Sequence, residues 1–386
     1  MNQWRAGLIL AAAGVFLCGI AGCGRPAGDA ASGADPIKIG EFASLTGEEA
    51  TFGVSSHEGT LMAVEEINAA GGVLGRKLQL LTEDDQCKPS EAATVVNKLI
   101  ARDNVVAVLG EVASTRTMAV TRICQDSKIP LVSPSSTNPD VTKTGDYIFR
   151  VCFIDPFQGT VMANFASMTL KIKRVAVLTD VKSDYSKGLA KFFKERFKAL
   201  GGEIVTELDY NGSDKDFKAQ LTTIKAANPE GVFVPGYYTA CALICLQARQ
   251  LGLSVPLFGG DGWESSKLTE IGGAAVEGNY FSTHYSSEAG SELSRRFVEH
   301  YQKRWNGQTP DALAACGYDS ALVLADAIKR AGSTDGGKIR DALAATKNFP
   351  AVSGTITIDA NRDASKAAVI LQVKGGKFKY LGTVEP

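Results

Sequence analysis

The feature that most constrains this chain is an alternation of short apolar runs with amphipathic stretches, carried out twice along its length. The first series opens with "IKIGEFA" (37–43) and "GTLMAVEEINAAGG" (59–72). In the latter, Leu61, Val64 and Ile67 recur at helical spacing until Gly71 and Gly72 stop the helix. "KLQLLTEDD" (77–85) reads as a strand and "SEAATVVNKLIARD" (90–103) as a helix. "VVAVLG" (105–110) and "IPLVS" (129–133) flank a helix that begins near Ser114. Continuous apolar runs of this length suit strands buried on both faces of a parallel sheet. The series then restarts with strands at "RVAVLTD" (174–180), "GEIVTELDY" (202–210), "GVFVPGY" (231–237) and "VPLFGGD" (255–261), with helices around 184–200, 215–228 and 238–251. Two successive β/α series imply an α/β protein of two doubly wound lobes. Two long helices, about 290–305 and 311–331, and strand-like "GTITID" (354–359) and "AAVILQVK" (367–374) remain to complete both lobes.

The start of the chain stands apart. "MNQWRAGLILAAAGVFLCGIAGC" has one early cation, Arg5, then an apolar segment too short for a membrane span, which reads as a secretory signal over 1–22. Ile20-Ala21-Gly22-Cys23 resembles a bacterial lipobox, which implies lipidation at Cys23 and a membrane anchor without a spanning helix. Residues 23–36 then form a Gly/Ala/Ser/Pro tether. An exported, lipid-anchored protein is expected, periplasmic or at the cell surface.

Several function classes lack their signatures. A formal net charge of -1 gives no basic face for nucleic acid. The three histidines, His57, His284 and His300, lie in no nucleophile or metal motif, and "HEGTL" lacks the second histidine of a zincin. "GGVLGRK" has no Gly-Lys-Ser/Thr, and "GGDGW" follows a late strand, so neither is a phosphate loop or dinucleotide fingerprint. No enzyme, metal or cofactor is expected. Cys87, Cys124, Cys152, Cys241, Cys245 and Cys316 are spaced too widely for a disulfide framework and read mainly as small buried residues.

In open parallel sheets, ligands collect beyond the carboxyl ends of the strands. In the first series those ends are "SLTGEEATFG" (44–53), "GEVASTRT" (110–117) and "SPSSTNP" (133–139). In the second they are "TDVKSDYSKG" (179–188), "PGYYTA" (235–240) and "FGGDGWES" (258–266). One lobe thus offers hydroxyls and helix starts, which suit a carboxylate. The other offers aromatics and one acid, Asp261, which suit an ammonium and an apolar side chain. Together they describe a pocket for a zwitterionic amino acid. The bland readings are that Ser114 and Thr115 are helix N-caps and that Asp261 forms a turn.

The ordered set "GGVLGRKLQLLTEDDQCKP", "GEVAST", "SPSSTNPDVT", "VKSDYSKGLA", "GYYTACALICLQARQLGL" and "LFGGDGW" resembles the periplasmic Leu/Ile/Val-binding proteins of ABC importers. The resemblance implies a type I periplasmic-binding-protein fold with three interlobe crossovers. It would divide the chain into a first lobe of 37–155 plus about 285–365 and a second of 156–284 plus about 366–386. It places a ligand carboxylate on Ser114, Ser135 and Thr137 and an ammonium on Tyr237 and Asp261, with Tyr185 a further pocket aromatic. Phe52 stands where the family has a tyrosine, Asp261 where it commonly has a glutamate, and Trp263 would narrow the side-chain pocket. Cys87 matches one half of a family disulfide whose other half is Ala113 here, so that bridge is absent. The implied function is capture of an aliphatic, branched-chain amino acid by a monomer and its delivery to separate ABC permease subunits. Binding of an amide, urea or aromatic acid, or ligand sensing for a membrane receptor, remain the alternatives.

Overall fold

The structure, a computed structural model, describes residues 35–386. The expected signal segment, Cys23 and all but the end of the tether lie outside the described residues. Five strands form the first sheet: β1 (Ile37–Ala43), β2 (Leu78–Asp84), β3 (Ala107–Leu109), β4 (Leu131–Ser133) and β5 (Ile148–Arg150). Their order is β2-β1-β3-β4-β5 and every pairing is parallel. The connecting helices are α1 (Ala50–Ala69), α2 (Pro89–Ala101) and α3 (Ser114–Ser127).

The chain then crosses to a second array. It begins with α4 (Asp155–Asn164) and continues through β6 (Arg174–Asp180), α5 (Asp184–Ala199), β7 (Glu203–Tyr210), α6 (Lys218–Ala226) and β8 (Gly231–Phe233). Next come α7 (Tyr238–Gln250), β9 (Leu257–Gly259), α8 (Ser266–Gly272) and β10 (Tyr280–Thr283). The chain returns to the first lobe with α9 (Glu292–Arg304), α10 (Ala312–Ala331) and α11 (Gly336–Ala344). A small antiparallel sheet follows, of β11 (Phe349–Ala351), β12 (Gly354–Ile358) and β13 (Ala364–Ser365). The last crossover delivers β14 (Ala368–Lys374) and β15 (Lys377–Val384) to the second sheet, whose order is β15-β14-β10-β9-β8-β6-β7. The expected parallel series is present, but β14 pairs antiparallel with both β10 and β15. A hairpin at a sheet edge needs no crossover helix, so the tail can finish the sheet in few residues.

Each sheet buries its own clusters. Ile39, Leu109 and Val132 pack beneath Val323, Leu324 and Ile328 of α10 on one side, and Phe42, Val108 and Leu131 against Val96, Leu99 and Val120 on the other. α1 and α10 approach closely because both carry glycine where they cross. A Cβ on Gly59 would stand 1.9 Å from the Ala314 carbonyl oxygen, and one on Gly317 would stand 2.1 Å from that of Ser56. At the crossovers, fully buried Arg150 pairs with Asp363 at 2.7 Å and donates to the Asn138 carbonyl at 2.8 Å, tying the first crossing to the third.

Two topological switch points follow from the strand orders. β1 lies between β2 and β3, and β6 lies between β7 and β8. Loops leaving such strands diverge to opposite faces and open a crevice at their carboxyl ends. The residues there are 44–49 and 110–113 in the first sheet, and 181–183 and 234–237 in the second.

Candidate functional site

The first wall is built from the ends of β3 and β4. Ser114 opens α3, but Ala113 is the N-cap and makes no side-chain capping bond, which corrects the capping expectation for Ser114. The Ser114 hydroxyl instead accepts the Asn138 N–H at 3.1 Å and so fastens the 135–138 loop to the helix start. Ser136 is consumed structurally, bonding the Thr117 hydroxyl and the carbonyls of Glu111 and Val112. Its neighbours differ: Ser135 Oγ and Thr137 Oγ1 are buried and have no hydrogen-bond partner in the protein.

The second wall comes from β6, β8 and β9. Tyr185 and Tyr237 stack with ring centroids 5.3 Å apart and planes 7° from parallel. The Tyr185 hydroxyl accepts the Gly262 N–H at 3.1 Å, which fixes the turn bearing Asp261. Gly262 is required there, since a Cβ would meet the Gly236 oxygen at 2.5 Å and the Tyr237 and Tyr185 rings at 3.0 and 3.1 Å. Asp261 is 8% exposed and opens a short 3-10 turn, so it forms a turn and also presents a carboxylate. Its Oδ1 accepts from Gln158 Nε2 at 2.8 Å, and its Oδ2 lies 3.1 Å from His284 Nε2. Burial holds the His284 imidazole below its ordinary pKa, with Asp261 opposing. It therefore stands neutral at pH 7 and donates to the carboxylate. The Tyr237 hydroxyl is buried without a partner, and burial raises both tyrosine pKa values, so both phenols remain donors.

The walls meet. Thr115 and Asn138 in the first lobe both bond Asp184 in the second: Asp184 N–H donates to Thr115 Oγ1 at 3.0 Å, and Asn138 Nδ2 donates to the Asp184 carbonyl at 2.7 Å. Thr115 follows Ser114, Asn138 follows Thr137, and Tyr185 follows Asp184. The segments that carry Ser114, Thr137 and Tyr185 therefore meet at one seam, Tyr237 and Asp261 join it through the Tyr185 ring and the Gly262 turn, and Ser135 lies two residues before Thr137 in the same loop. Phe52 joins them from α1, edge-on to Tyr237 and Tyr238 at 5.6 and 4.9 Å. Tyr238 and Thr239 close the rim by donating to the Glu48 carbonyl, each at 3.0 Å. Trp263 is fully buried and spends its indole N–H on the Val234 carbonyl at 2.8 Å. Its ring belongs to the apolar cluster that also contains Phe52, Val112 and Leu313.

Sequence reasoning missed a charged group beside this seam. Arg116 pairs with Glu49 and with Glu111, each at 3.0 Å, and the Glu111 side chain has no exposure at all. Glu111 also accepts from Ser44 Oγ and from the Ala113 N–H. Asp85, whose Oδ1 lies 2.6 Å from Ser44 Oγ, is pushed up to about 7 by burial and then by the Glu111 charge. Asp155 was missed too. Burial raises its carboxyl well above the usual range, and the Thr137 hydroxyl lies beside it without a completed hydrogen bond. Cys87 is free, as the Ala113 position implied. Among the described residues no cluster of three or more metal-ligating side chains occurs, and no helix is long and apolar enough to cross a membrane.

A two-lobed α/β body with paired polar walls at its switch points is the architecture of a solute receptor, and the sequence agrees: residues 36–377 match the family described as periplasmic binding protein. The chain belongs to that family, in the group of the Leu/Ile/Val-binding proteins. A leucine-, isoleucine-, valine-, threonine- and alanine-binding protein of Pseudomonas aeruginosa is 33% identical over 332 residues, 86% of this chain and 87% of the relative. The crystal structure of a leucine-binding protein, LivK, of Thermotoga maritima superposes with a TM-score of 0.88 at 42% identity, covering 91% of this chain and 99% of the other. LivJ of Streptococcus pneumoniae, a branched-chain amino acid transporter substrate-binding protein solved with isoleucine, gives 0.86 at 36% identity, covering 91% and 100%. The three-crossover type I fold implied by the sequence motifs is thus the observed one.

Proposed function

We propose that this binding protein captures an aliphatic, branched-chain amino acid between its lobes and delivers it to an ABC permease. The observation that carries the reading is the double bridge to Asp184. It ties the segments that carry Ser114 and Thr137 to the segment that carries Tyr185, which supports a site shared by the two walls. Hydroxyls and backbone N–H groups at the start of α3 suit a carboxylate. Asp261 supplies the counter-charge for an ammonium, and Phe52 with the stacked tyrosines supplies an apolar enclosure. The relatives from Thermotoga and Streptococcus, named for leucine and solved with isoleucine, support that ligand class.

The work is binding, without a covalent step. Differential affinity for the closed form shifts the lobes' open–closed balance. In this reading Cys23 carries the lipid that keeps a monomeric receptor at the membrane, with 37–155 plus about 285–365 as one lobe and 156–284 plus about 366–386 as the other. A thermal-shift screen of the twenty amino acids, urea, acetamide and benzoate tests the ligand class. Stabilisation by leucine, isoleucine or valine is expected, and stabilisation by benzoate or urea alone would overturn it.

A further inference from the structure

Glu264 is an acid that neither wall uses. It follows the Asp261 turn in the second lobe, is 4% exposed, and reaches across the seam to the first lobe. Its Oε1 accepts the N–H of Ala312, the first residue of α10, at 2.9 Å, and its Oε2 is hydrogen-bonded to the Thr283 hydroxyl, which can either donate to a carboxylate or accept from a neutral acid. Alongside, the hydroxyls of Thr51 and Ser265 meet across the same seam at 2.9 Å. The start of α10 already has an anion: Asp311, its N-cap, accepts the N–H groups of Leu313 and Ala314 at 3.0 and 2.9 Å and the Ser55 hydroxyl.

We propose that Glu264 enters this seam as the neutral acid and docks the second lobe onto the start of α10, so that capture of the amino acid takes up one proton. The inference rests on the capture reading above. All the proposed grips are buried, so the lobes must part to admit a ligand, and parting them breaks the Glu264–Ala312 bond and hydrates the carboxylate. Closing returns Glu264 to a buried site beside Asp311. The titratable groups that face it there are Asp311 at the head of α10, Asp261 on its own turn, Tyr285 after β10 and Cys316 one turn into α10. Glu58 of α1 and Tyr301 of α9 stand beyond Asp311. None of these is a cation; the buried ammonium of Lys366 stands one neighbour further off, where it acts on Cys316, Asp319 and His284. Two buried carboxyls so placed cannot both ionise cheaply. Burial raises both carboxyls; Asp311, which accepts from three donors, is the better placed of the two to hold the charge, and burial followed by the Asp311 charge pushes Glu264 up to about 8.

The sign follows from linkage. The closed form holds the proton more tightly than the open form, so affinity falls as pH rises above the open-form value and levels off near the closed-form one.

Calorimetry with L-leucine on the purified protein, from pH 5.5 to 9 in buffers of different ionisation enthalpy, tests this. The wild type is expected to take up about one proton per leucine near neutrality, about half a proton near pH 8 and little by pH 9, with affinity falling by up to about tenfold per pH unit below pH 8. Glu264→Gln accepts the Ala312 N–H through its amide oxygen and donates to the Thr283 hydroxyl through its amide nitrogen, as the neutral acid does, without a titrating group. It is expected to bind with flat pH dependence and more tightly than wild type at pH 8.5, whereas Glu264→Ala is flat and weak. Tight leucine binding without proton uptake, or a wild-type pH profile in Glu264→Gln, would overturn the inference alone. Failure to bind leucine, isoleucine and valine at every pH would overturn the capture reading, and the inference with it.

Discussion

Asp261 and His284 meet at 3.1 Å between Oδ2 and Nε2, while Gln158 Nε2 holds the other carboxylate oxygen at 2.8 Å. The acid proposed to face the ammonium is thus aimed by two side chains from separate elements, α4 and the segment after β10. A shorter acid than the family's usual glutamate is set in place by its neighbours. The imidazole is itself braced, with its ring centroid 4.0 Å from that of Phe153.

This arrangement gives His284 a pH signature. Burial depresses its pKa below the ordinary histidine value, so the fold favours the neutral ring. Below pH 6.5 the unfolded chain binds a proton that the fold resists, and stability falls with pH there. Melting curves should show Tm dropping from pH 7 to pH 5 in the wild type, with a smaller drop in His284→Gln. An equal slope in both would show that another group titrates.

Thr137 carries the sharpest prediction for the first wall. Its hydroxyl is buried and unpartnered, so Thr137→Val preserves shape and costs the fold little. Loss of one hydrogen bond to a carboxylate, about 1.5–3 kcal/mol, should weaken leucine binding by roughly 10- to 100-fold. Urea denaturation with calorimetry checks both halves, and unchanged affinity would move the carboxylate elsewhere.

Arg116 is expected to serve stability. It lies between Glu49 and Glu111, and burial already raises the Glu49 carboxyl against the pull of the guanidinium. Arg116→Met leaves buried carboxylates without a counter-ion and should cost about 3–5 kcal/mol in urea unfolding at pH 7. Protonation relieves an unpaired acid, so the gap to wild type should narrow as pH falls toward 5. A constant gap would mean that lost packing is the cause.

The double β/α series was legible because strands buried on both faces leave continuous apolar runs; "RVAVLTD" matches β6 residue for residue. α1 begins at Ala50, not near residue 59, because its first turns pair Phe52 with small polar residues. These are buried by the α10 crossing and by the opposite lobe, which a periodicity in hydrophobicity does not register. α4 is masked in the same way by its Asp-Pro start and its glycine. The site hydroxyls could be named because strand ends concentrate them. The Glu49–Arg116–Glu111 group could not, since Glu49 lies 67 residues before its arginine and only the fold unites them. A lone His284 in sequence gave no sign that it orients Asp261.

In the proposed complex, opposite walls hold opposite ends of one zwitterion. Calorimetry of leucine and its deaminated analogue, 4-methylpentanoate, against wild type and Asp261→Asn tests it most directly. Leucine should bind the wild type at least tenfold more tightly than the analogue, and Asp261→Asn should erase most of that difference while leaving the analogue's affinity nearly unchanged. Equal binding of the two ligands by the wild type, or a full preference for leucine in Asp261→Asn, would contradict the account.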